Sequence, residues 1–352
     1  MTGLREAIDL HGALGGELGA TELCDLLRDL VGGVEPADRV EAVRPIKPPR
    51  VYRLELTGAP WRSVVLKRLE PAMAQRARLA AERWLPALGL GSRSARLLGV
   101  AAERSGDAVW HVYEDLGDRT LAARPAAECV DATVDLVAEL HLRAARHPVL
   151  PDARHHGGGR GLAYFTESVG DAVAALETLH NTGIEPPAAF AGVPARLLER
   201  LRDLLADAPR RARVFADAAG PDTLLHGDLW PINAFVDATP EGPRARLVDW
   251  DRVAVGPFSY DLSTLLFRLP PAERPRVLSR YRQALARGGW TLPAPADLSV
   301  LCDTAERARY ANYLIWPVLA LVQERPSWGF PELAEVERWF VALDSSLEVA
   351  SV

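Results

Sequence analysis

Acidic and amide side chains gather in one short stretch of this chain. The segment Leu224-Leu-His-Gly-Asp-Leu-Trp-Pro-Ile-Asn-Ala-Phe-Val carries Asp228 and Asn233, and Arg246-Leu-Val-Asp-Trp-Asp follows with Asp249 and Asp251. The runs Ala234-Phe-Val-Asp and Ala245-Arg-Leu-Val read as two strands joined by a turn rich in Pro and Gly. Such a hairpin sets Asp228 and Asn233 on the loop before its first strand and Asp249 where its second strand ends. Three oxygen-bearing side chains can then converge on one point. Carboxylate and amide oxygens are what Mg²⁺ takes, and Mg²⁺ usually completes its shell with water and nucleotide phosphates. Each residue also has a plainer reading: a turn held by backbone hydrogen bonds for Asp228, a turn residue for Asn233 and a strand-end cap for Asp249.

A second signal is the scarcity of lysine. Of 41 Lys and Arg residues only Lys47 and Lys67 are lysines. Composition bias explains most of the arginine. A surviving lysine at the end of the apolar run Ser63-Val-Val-Leu-Lys still raises the question of what only an ammonium can do. The competing reading of Lys67 is an edge-strand charge that discourages aggregation.

The elements that must position these residues follow from periodicity. Residues 1–35 read as helix, with Leu4, Ile8, Leu14, Leu18, Leu23, Leu26, Leu27, Leu30 and Val31 at roughly helical spacing and Gly32-Gly33 as the stop. Val51-Tyr-Arg-Leu-Glu-Leu and Ser63-Val-Val-Leu-Lys-Arg-Leu read as strands around a turn at Thr57-Gly-Ala-Pro. Residues 72–88 are helical, and 95–100 and 108–114 form another strand pair around Ser105-Gly-Asp. After Asp115 the chain is mainly helical. His155-His-Gly-Gly-Gly-Arg-Gly reads as a loop with solvated histidines. The division expected is a helical leader over 1–38, a strand-rich lobe over 39–116 and a larger helical lobe over 117–352.

Composition excludes several classes. The 352 residues are 48% hydrophobic and 25% charged, so wholesale disorder is excluded. No apolar run approaches the ~20 residues of a membrane helix, and the N-terminal stretch shows no secretory pattern. Three scattered cysteines lack metal or disulfide spacing, so a cytoplasmic location is expected. A net charge of −6 argues against general nucleic-acid binding.

Taken in order, these motifs resemble the aminoglycoside phosphotransferase family, small-molecule kinases of the protein-kinase-like fold. H-G-D-L-W-P-I-N and L-V-D-W-D carry the resemblance. Val255-Gly-Pro-Phe-Ser-Tyr-Asp-Leu extends it downstream, and Val64-Val-Leu-Lys, Glu82, Tyr113-Glu-Asp-Leu and Leu136-Val-Ala-Glu-Leu-His extend it upstream. Its coverage by ordered motifs is roughly residues 40–270. The resemblance implies an α+β, bilobal fold with a small strand-rich N-lobe and a larger, mainly helical C-lobe.

It also implies roles. Asp228 orients the acceptor hydroxyl and accepts its proton. Asn233 and Asp249 hold Mg²⁺, with Asp251 in a supporting place or exchanging roles with Asp249. Lys67 contacts the phosphates while pairing with Glu82. The backbone around Glu114, Asp115 and Leu116 meets the adenine edge. His226 supports the loop, and Asp261 anchors it from a helix start. One departure stands out: Val43-Arg-Pro-Ile-Lys-Pro-Pro-Arg-Val-Tyr has no glycine where the family places glycines over the phosphates. Arg44, Lys47 and Arg50 are candidates to replace amide contacts there, or form a basic solvated loop.

The function expected by resemblance is an ATP- or GTP-dependent transfer of a phosphoryl group to a hydroxyl of a small molecule. The acceptor is an antibiotic or other natural product, or a metabolic amino sugar, amino alcohol or hydroxy-amino acid. A nucleotide-binding protein without catalysis is the alternative from another class. For the acceptor side, Asp303, Glu306, Tyr310, Tyr313, Trp316 and Glu324 are candidates for an acidic, aromatic wall facing a cationic amine or a sugar. The plainer reading of that helix is a buried face. Trp230 is the better candidate for shaping the acceptor pocket.

Overall fold

The structure, a computed structural model, describes residues 17–32, 39–47 and 50–346. The helical leader expected over 1–35 lies largely outside these residues, as do Pro48 and Pro49. The chain divides into two compact units. One runs to Thr133 and takes back Pro231–Val253; the other holds Val134–Trp230 and the chain from Ala254 onward. The sequence-drawn boundary at 116/117 falls inside the first unit, and the hairpin beyond Asn233 returns to it.

The first unit begins with helix α1 (Ala20–Leu30) and an antiparallel sheet of β1 (Val40–Lys47), β2 (Val51–Leu56) and β3 (Ser63–Leu69). Helix α2 (Pro71–Leu79) follows, then β4 (Leu97–Ala102) and β5 (Val109–Glu114), in the sheet order β1-β2-β3-β5-β4. Alternation decides which side chains face which way. Tyr52, Leu54, Leu56, Val64, Leu66, Trp110 and Val112 form a buried layer with Leu23 and Leu27 of α1. Gly99 on β4 permits this contact, since a Cβ there would sit 2.7 Å from Leu26 Cδ1. The register pairs Lys67 with His111 and Val65 with Tyr113, on the face opposite Leu66.

Helix α2 begins with Pro71 in its first turn. It continues through a wider π-helical turn over Ala80–Trp84, where Leu85 N donates to Ala80 O, and ends with Leu85–Ala87. Pro86 follows at once and has no N–H to donate, which favours this break in the ladder.

The second unit is mainly helical. Its elements are most of α3 (Ala127–Ala144), which starts in the first unit, then α4 (Leu150–Gly157), α5 (Leu162–Asn181), α6 (Val193–Ala206) and α7 (Ala208–Ala218). His155 and His156 therefore lie in the last turn of α4, and the glycines after them end it; the loop expected from the sequence begins later than read. Strand β6 (Thr223–Leu225) precedes the hairpin of β7 (Ala234–Thr239) and β8 (Gly242–Leu247). Strand β9 (Ala254–Gly256) pairs with β6, and α8 (Ser259–Phe267), α9 (Arg274–Arg287), α10 (Pro295–Gln323) and α11 (Gly329–Ser346) complete the fold.

Phe165, Val169, Ala172 and Leu176 of α5 recur at helical spacing and pack with Leu197 and Leu201 of α6, Leu314 and Val318 of α10, and Val336 and Phe340 of α11. Among the described residues no helix is long and apolar enough to cross a membrane.

Candidate active site

In the first unit the site begins at Lys67. Its ammonium is bonded to Asp249 and lies 2.8 Å from Asp251 Oδ2. Burial pulls the Lys67 ammonium down, but the two carboxylates outweigh it and hold it above its ordinary value. Asp251 is buried, and that burial, with Asp249 beside it, pushes its carboxyl above the usual carboxylate range against the pull of Lys67. Asp249 adopts a left-handed backbone, φ 69° and ψ 56°, a sparsely populated conformation for a residue with a side chain. A short turn over Trp250–Arg252 follows, held by Trp250 Nε1 donating to Leu247 O at 3.1 Å. Arg76 of α2 donates through Nε to Asp251 O at 2.9 Å. The hairpin thus delivers Asp249 and the helix fixes the turn that carries it.

The hairpin also explains why Asn233 and Asp249 share one end. Ala234 faces Leu247, and Val248 N donates to Asn233 O at 2.9 Å. Asn233 is buried in the turn just before β7. Their amide and carboxylate oxygens are hard donors of the kind Mg²⁺ takes. Among the described residues no group of three or more His, Cys, Asp and Glu side chains forms a protein-only metal cage. This donor set suits an ion whose remaining ligands come from phosphates and water.

Glu82 is not brought to Lys67. It is exposed and takes Arg78 Nε at 2.8 Å, one turn back on α2. The expected Lys67–Glu82 pair is replaced by Lys67 with Asp249 and Asp251. The π-helical turn around Glu82 shifts the helical phase, a change that regular periodicity does not foretell. Glu82 and Glu114 instead line one cavity of about 630 Å³ together with Arg96, Arg244 and Arg246.

Glu114 ends β5. Its carboxylate accepts Arg96 N at 2.7 Å and pairs with Arg246. Asp115 accepts Ser63 Oγ at 2.7 Å and pairs with Arg53 at 2.8 Å, so the segment entering half-buried Leu116 is pinned on both sides. Beside Lys67, Tyr113 is pushed far up by burial and by Asp249 and Asp251, so it stays protonated; its hydroxyl lies 2.8 Å from His111 Nδ1. At the first hairpin Arg44 is engaged with Glu55 of β2 at 3.0 Å.

In the second unit, half-buried Asp228 sits on a loop after β6. Asp261 is wholly buried near the start of α8 and accepts His226 N at 2.6 Å and Gly227 N at 2.9 Å. Burial raises its carboxyl, but His141, His226 and the Gly227 amide outweigh this and hold it below the usual range. Tyr281, driven well up by burial, keeps its proton, and its hydroxyl lies 2.6 Å from His141 Nδ1. His141 Nε2 faces Asp261 Oδ2 at 3.4 Å. Gly227 has φ 82°, which sharpens the turn, and Asp228 N donates to His226 Nδ1 at 3.3 Å. Trp230 N donates back to Asp228 O at 2.8 Å.

The expected acidic wall on α10 takes another form. Asp303 is buried, with Arg211 at 2.7 Å and Arg307 at 2.7 Å. Glu306 is wholly buried, paired with Arg268 and Arg309 and accepting Ser263 Oγ at 3.1 Å. Tyr310 packs on Trp339 and Phe340, as the plainer reading held, whereas Tyr313 and Trp316 are exposed. Glu324 is exposed near the end of α10. Sequence reasoning missed Arg268 and Arg309; in an arginine-rich chain nothing local distinguishes them.

A five-stranded antiparallel sheet followed by a larger helical part defines the kinase-like α+β class. Residues 47–298 match the profile of the phosphotransferase enzyme family, and the chain belongs to that family. No curated protein matches it. Among solved structures, choline kinase LicA from Streptococcus pneumoniae is similar at 14% identity and a TM-score of 0.56, over 93% of this chain and 98% of that one. Aminoglycoside phosphotransferase APH(3'')-Id from Streptomyces rimosus, solved with ADP and streptomycin, is similar at 16% identity and a TM-score of 0.52, over 83% of this chain and 99% of that one. A choline/ethanolamine kinase family protein from Mesorhizobium loti gives 13% identity and a TM-score of 0.55, over 93% and 98%. At such identities the likeness is one of fold.

Proposed function

We propose that this protein is a nucleoside-triphosphate-dependent O-phosphotransferase acting on a hydroxyl of a small molecule. The observation that carries the reading is the Lys67 ammonium held by Asp249, itself in a left-handed turn at the end of a hairpin that also presents Asn233. A cation for phosphate oxygens and hard oxygens for a divalent ion are gathered there and pair with one another.

In this reading Lys67 binds the donor phosphates, and Asn233 and Asp249 hold Mg²⁺, which when bound offsets charge on the phosphates. Asp251 keeps Lys67 in place. The backbone from Glu114 to Leu116 takes the base of ATP or GTP, and Glu82, bonded to Arg78 at the cavity it shares with Glu114, makes only a minor contribution. Asp228 orients the acceptor hydroxyl. The acceptor oxygen bonds to the γ-phosphorus while the bond to the bridging oxygen breaks. The nucleoside diphosphate leaves with the electron pair, and the hydroxyl proton passes to Asp228. Positioning and charge do most of the work in such transfers.

The acceptor is an antibiotic or other natural product, or a metabolic hydroxy compound. No disulfide joins Cys24, Cys129 and Cys302 among the described residues, which suits a reducing cytoplasm. A second reading, nucleotide binding without transfer, draws support from the first hairpin, where Pro45 sits within β1 and Arg44 is committed to Glu55.

The test is triphosphate consumption with Mg²⁺ against a panel of hydroxyl acceptors, with mass detection of the product. Asp228→Asn is expected to abolish transfer while sparing nucleotide binding. Near-wild-type turnover in that variant would remove Asp228 from the reaction. Nucleotide binding with no transfer to any acceptor would favour the second reading.

A further inference from the structure

The surroundings of Asp228 within the helical unit are richer in arginine than an acceptor site for cations requires. From Trp230, two residues along the same loop, a continuous chain of contacts can be followed. The Arg268 guanidinium lies 4.4 Å from the centroid of the Trp230 ring system, and Arg268 pairs with Glu306. Glu306 pairs in turn with Arg309, which lies 4.3 Å over the Tyr260 ring and donates to Tyr260 O at 3.2 Å. Tyr260 meets Tyr164 edge-on at 6.0 Å, and Arg160 covers Tyr164 at 4.5 Å. Arg309 is close enough to Asp228 for their charges to interact.

Asp228 apart, this chain holds three guanidinium groups and one carboxylate. That carboxylate, Glu306, is wholly buried and shared between two of them. The other acid expected to face an acceptor, Asp303, is turned to Arg211 and Arg307 and buried there.

The geometry leaves donors to spare. A guanidinium carries five N–H groups in a fixed fork that matches carboxylate and phosphate oxygens. Glu306 occupies Nη1 of Arg268, and its other N–H groups make no hydrogen bond to the described residues. Trp230, 39% exposed, offers apolar surface beside that fork. A cationic acceptor would meet surplus positive charge here, whereas an oxyanion would complete it.

Resting on the phosphotransferase reading, we propose that the acceptor is an anionic hydroxy compound, whose carboxylate or phosphate group is received by the free edge of Arg268 beside Trp230 while its hydroxyl is presented to Asp228. Arg309 and Arg160 supply the supporting positive field. Carboxylate and phosphomonoester share the chemistry that a guanidinium fork recognises, and the experiment separates them.

The full chain with MgATP is offered gluconate and glucose 6-phosphate as anionic acceptors, and streptomycin and choline as cationic ones. Phosphoryl gain is read by mass, and thermal melting is followed in parallel. The expected result is phosphorylation of one or both anions, with KM raised about tenfold or more in Arg268→Ala and kcat affected less. Arg268→Lys keeps the charge on Glu306 and loses the fork, so it guards against an unfolded alanine variant; an intermediate KM is expected.

Phosphorylation of a cation with neither anion turned over would overturn the proposal. So would a KM in either Arg268 variant within about twofold of wild type. If nothing is phosphorylated and no anion raises the melting temperature, the anion site is wrong, while a shift with MgATP leaves the nucleotide reading standing. An anion that stabilises the wild type but not Arg268→Lys, in a protein that ignores MgATP, would uphold the anion site and remove the phosphotransferase reading.

Discussion

Replacing Asp261 with Asn perturbs the loop that carries Asp228 without touching Asp228 itself. Asp261 is wholly buried and accepts two backbone N–H groups, from His226 at 2.6 Å and Gly227 at 2.9 Å. Bonds to a charged acceptor contribute about 1.5–3 kcal/mol each, and a buried donor left unmade costs about 1–3 kcal/mol. Asparagine keeps one oxygen and places an amide NH₂ where the other was, so one N–H loses its acceptor. These two contributions describe the same lost bond from either side and are not added, so a loss of about 2–3 kcal/mol is expected near neutral pH.

The sign of the pH dependence follows from the lowered carboxyl of Asp261. A group held below its unfolded value stabilises the fold above the unfolded pKa of about 3.9 and loses that contribution as pH falls through the lower folded value. The gap between wild type and variant should therefore hold steady from neutral pH to about 4 and close below it. Urea unfolding across that range measures it, and a turnover assay reads the loop. A variant within about 0.5 kcal/mol of wild type, or a gap that widens as pH falls, would refute the account of Asp261 as a charged anchor.

The partners of Lys67 make a paired test. Asp251→Asn should weaken nucleotide affinity about tenfold, the order of one charge-assisted bond, while Glu82→Gln stays within about twofold because its bond is an exposed one to Arg78. Isothermal titration with nucleotide decides, and the reverse order would return Lys67 to Glu82. His111 is lowered to about 4, by burial first and then by Lys67 and Arg78. A base depressed on folding is protonated first in the unfolded chain, so stability should decline as pH falls from about 6.5 toward 4, by up to about 3 kcal/mol. His111→Gln should flatten that limb, and superimposable pH–stability curves would show that His111 does not titrate this way.

Much of the scaffold was legible because its signals are local. The alternation in Val51–Leu56 and Ser63–Leu69 predicts strands, and the turn between Ala234 and Leu247 predicts a hairpin, from neighbours a few residues apart. The hairpin alone brings Asn233 and Asp249 to one end. Local reasoning went astray where a single residue changed the phase. The π-helical turn ahead of Pro86 left Glu82 facing Arg78, and α4 ran through His155 and His156 before its glycines stopped it. On α10 the acids and rings were found at the expected helical spacing, but spacing does not say whether an acid meets solvent or an arginine. Asp303 meets Arg211, and Glu306 meets Arg268, both distant in sequence.

The sequence by itself determined the order of elements, the chemistry-bearing side chains and the hairpin that presents two of them. Backbone periodicity and turn chemistry are properties of short segments and survive without a partner. Only the tertiary structure decided who pairs with whom: Lys67 with Asp249 and Asp251, Asp261 with the amides before Asp228, and two arginines with one buried Glu306. Charged side chains are long and their attraction falls slowly with distance, so many pairings are open to the same sequence. Which one is realised depends on where packing leaves each charge and how much water it excludes there.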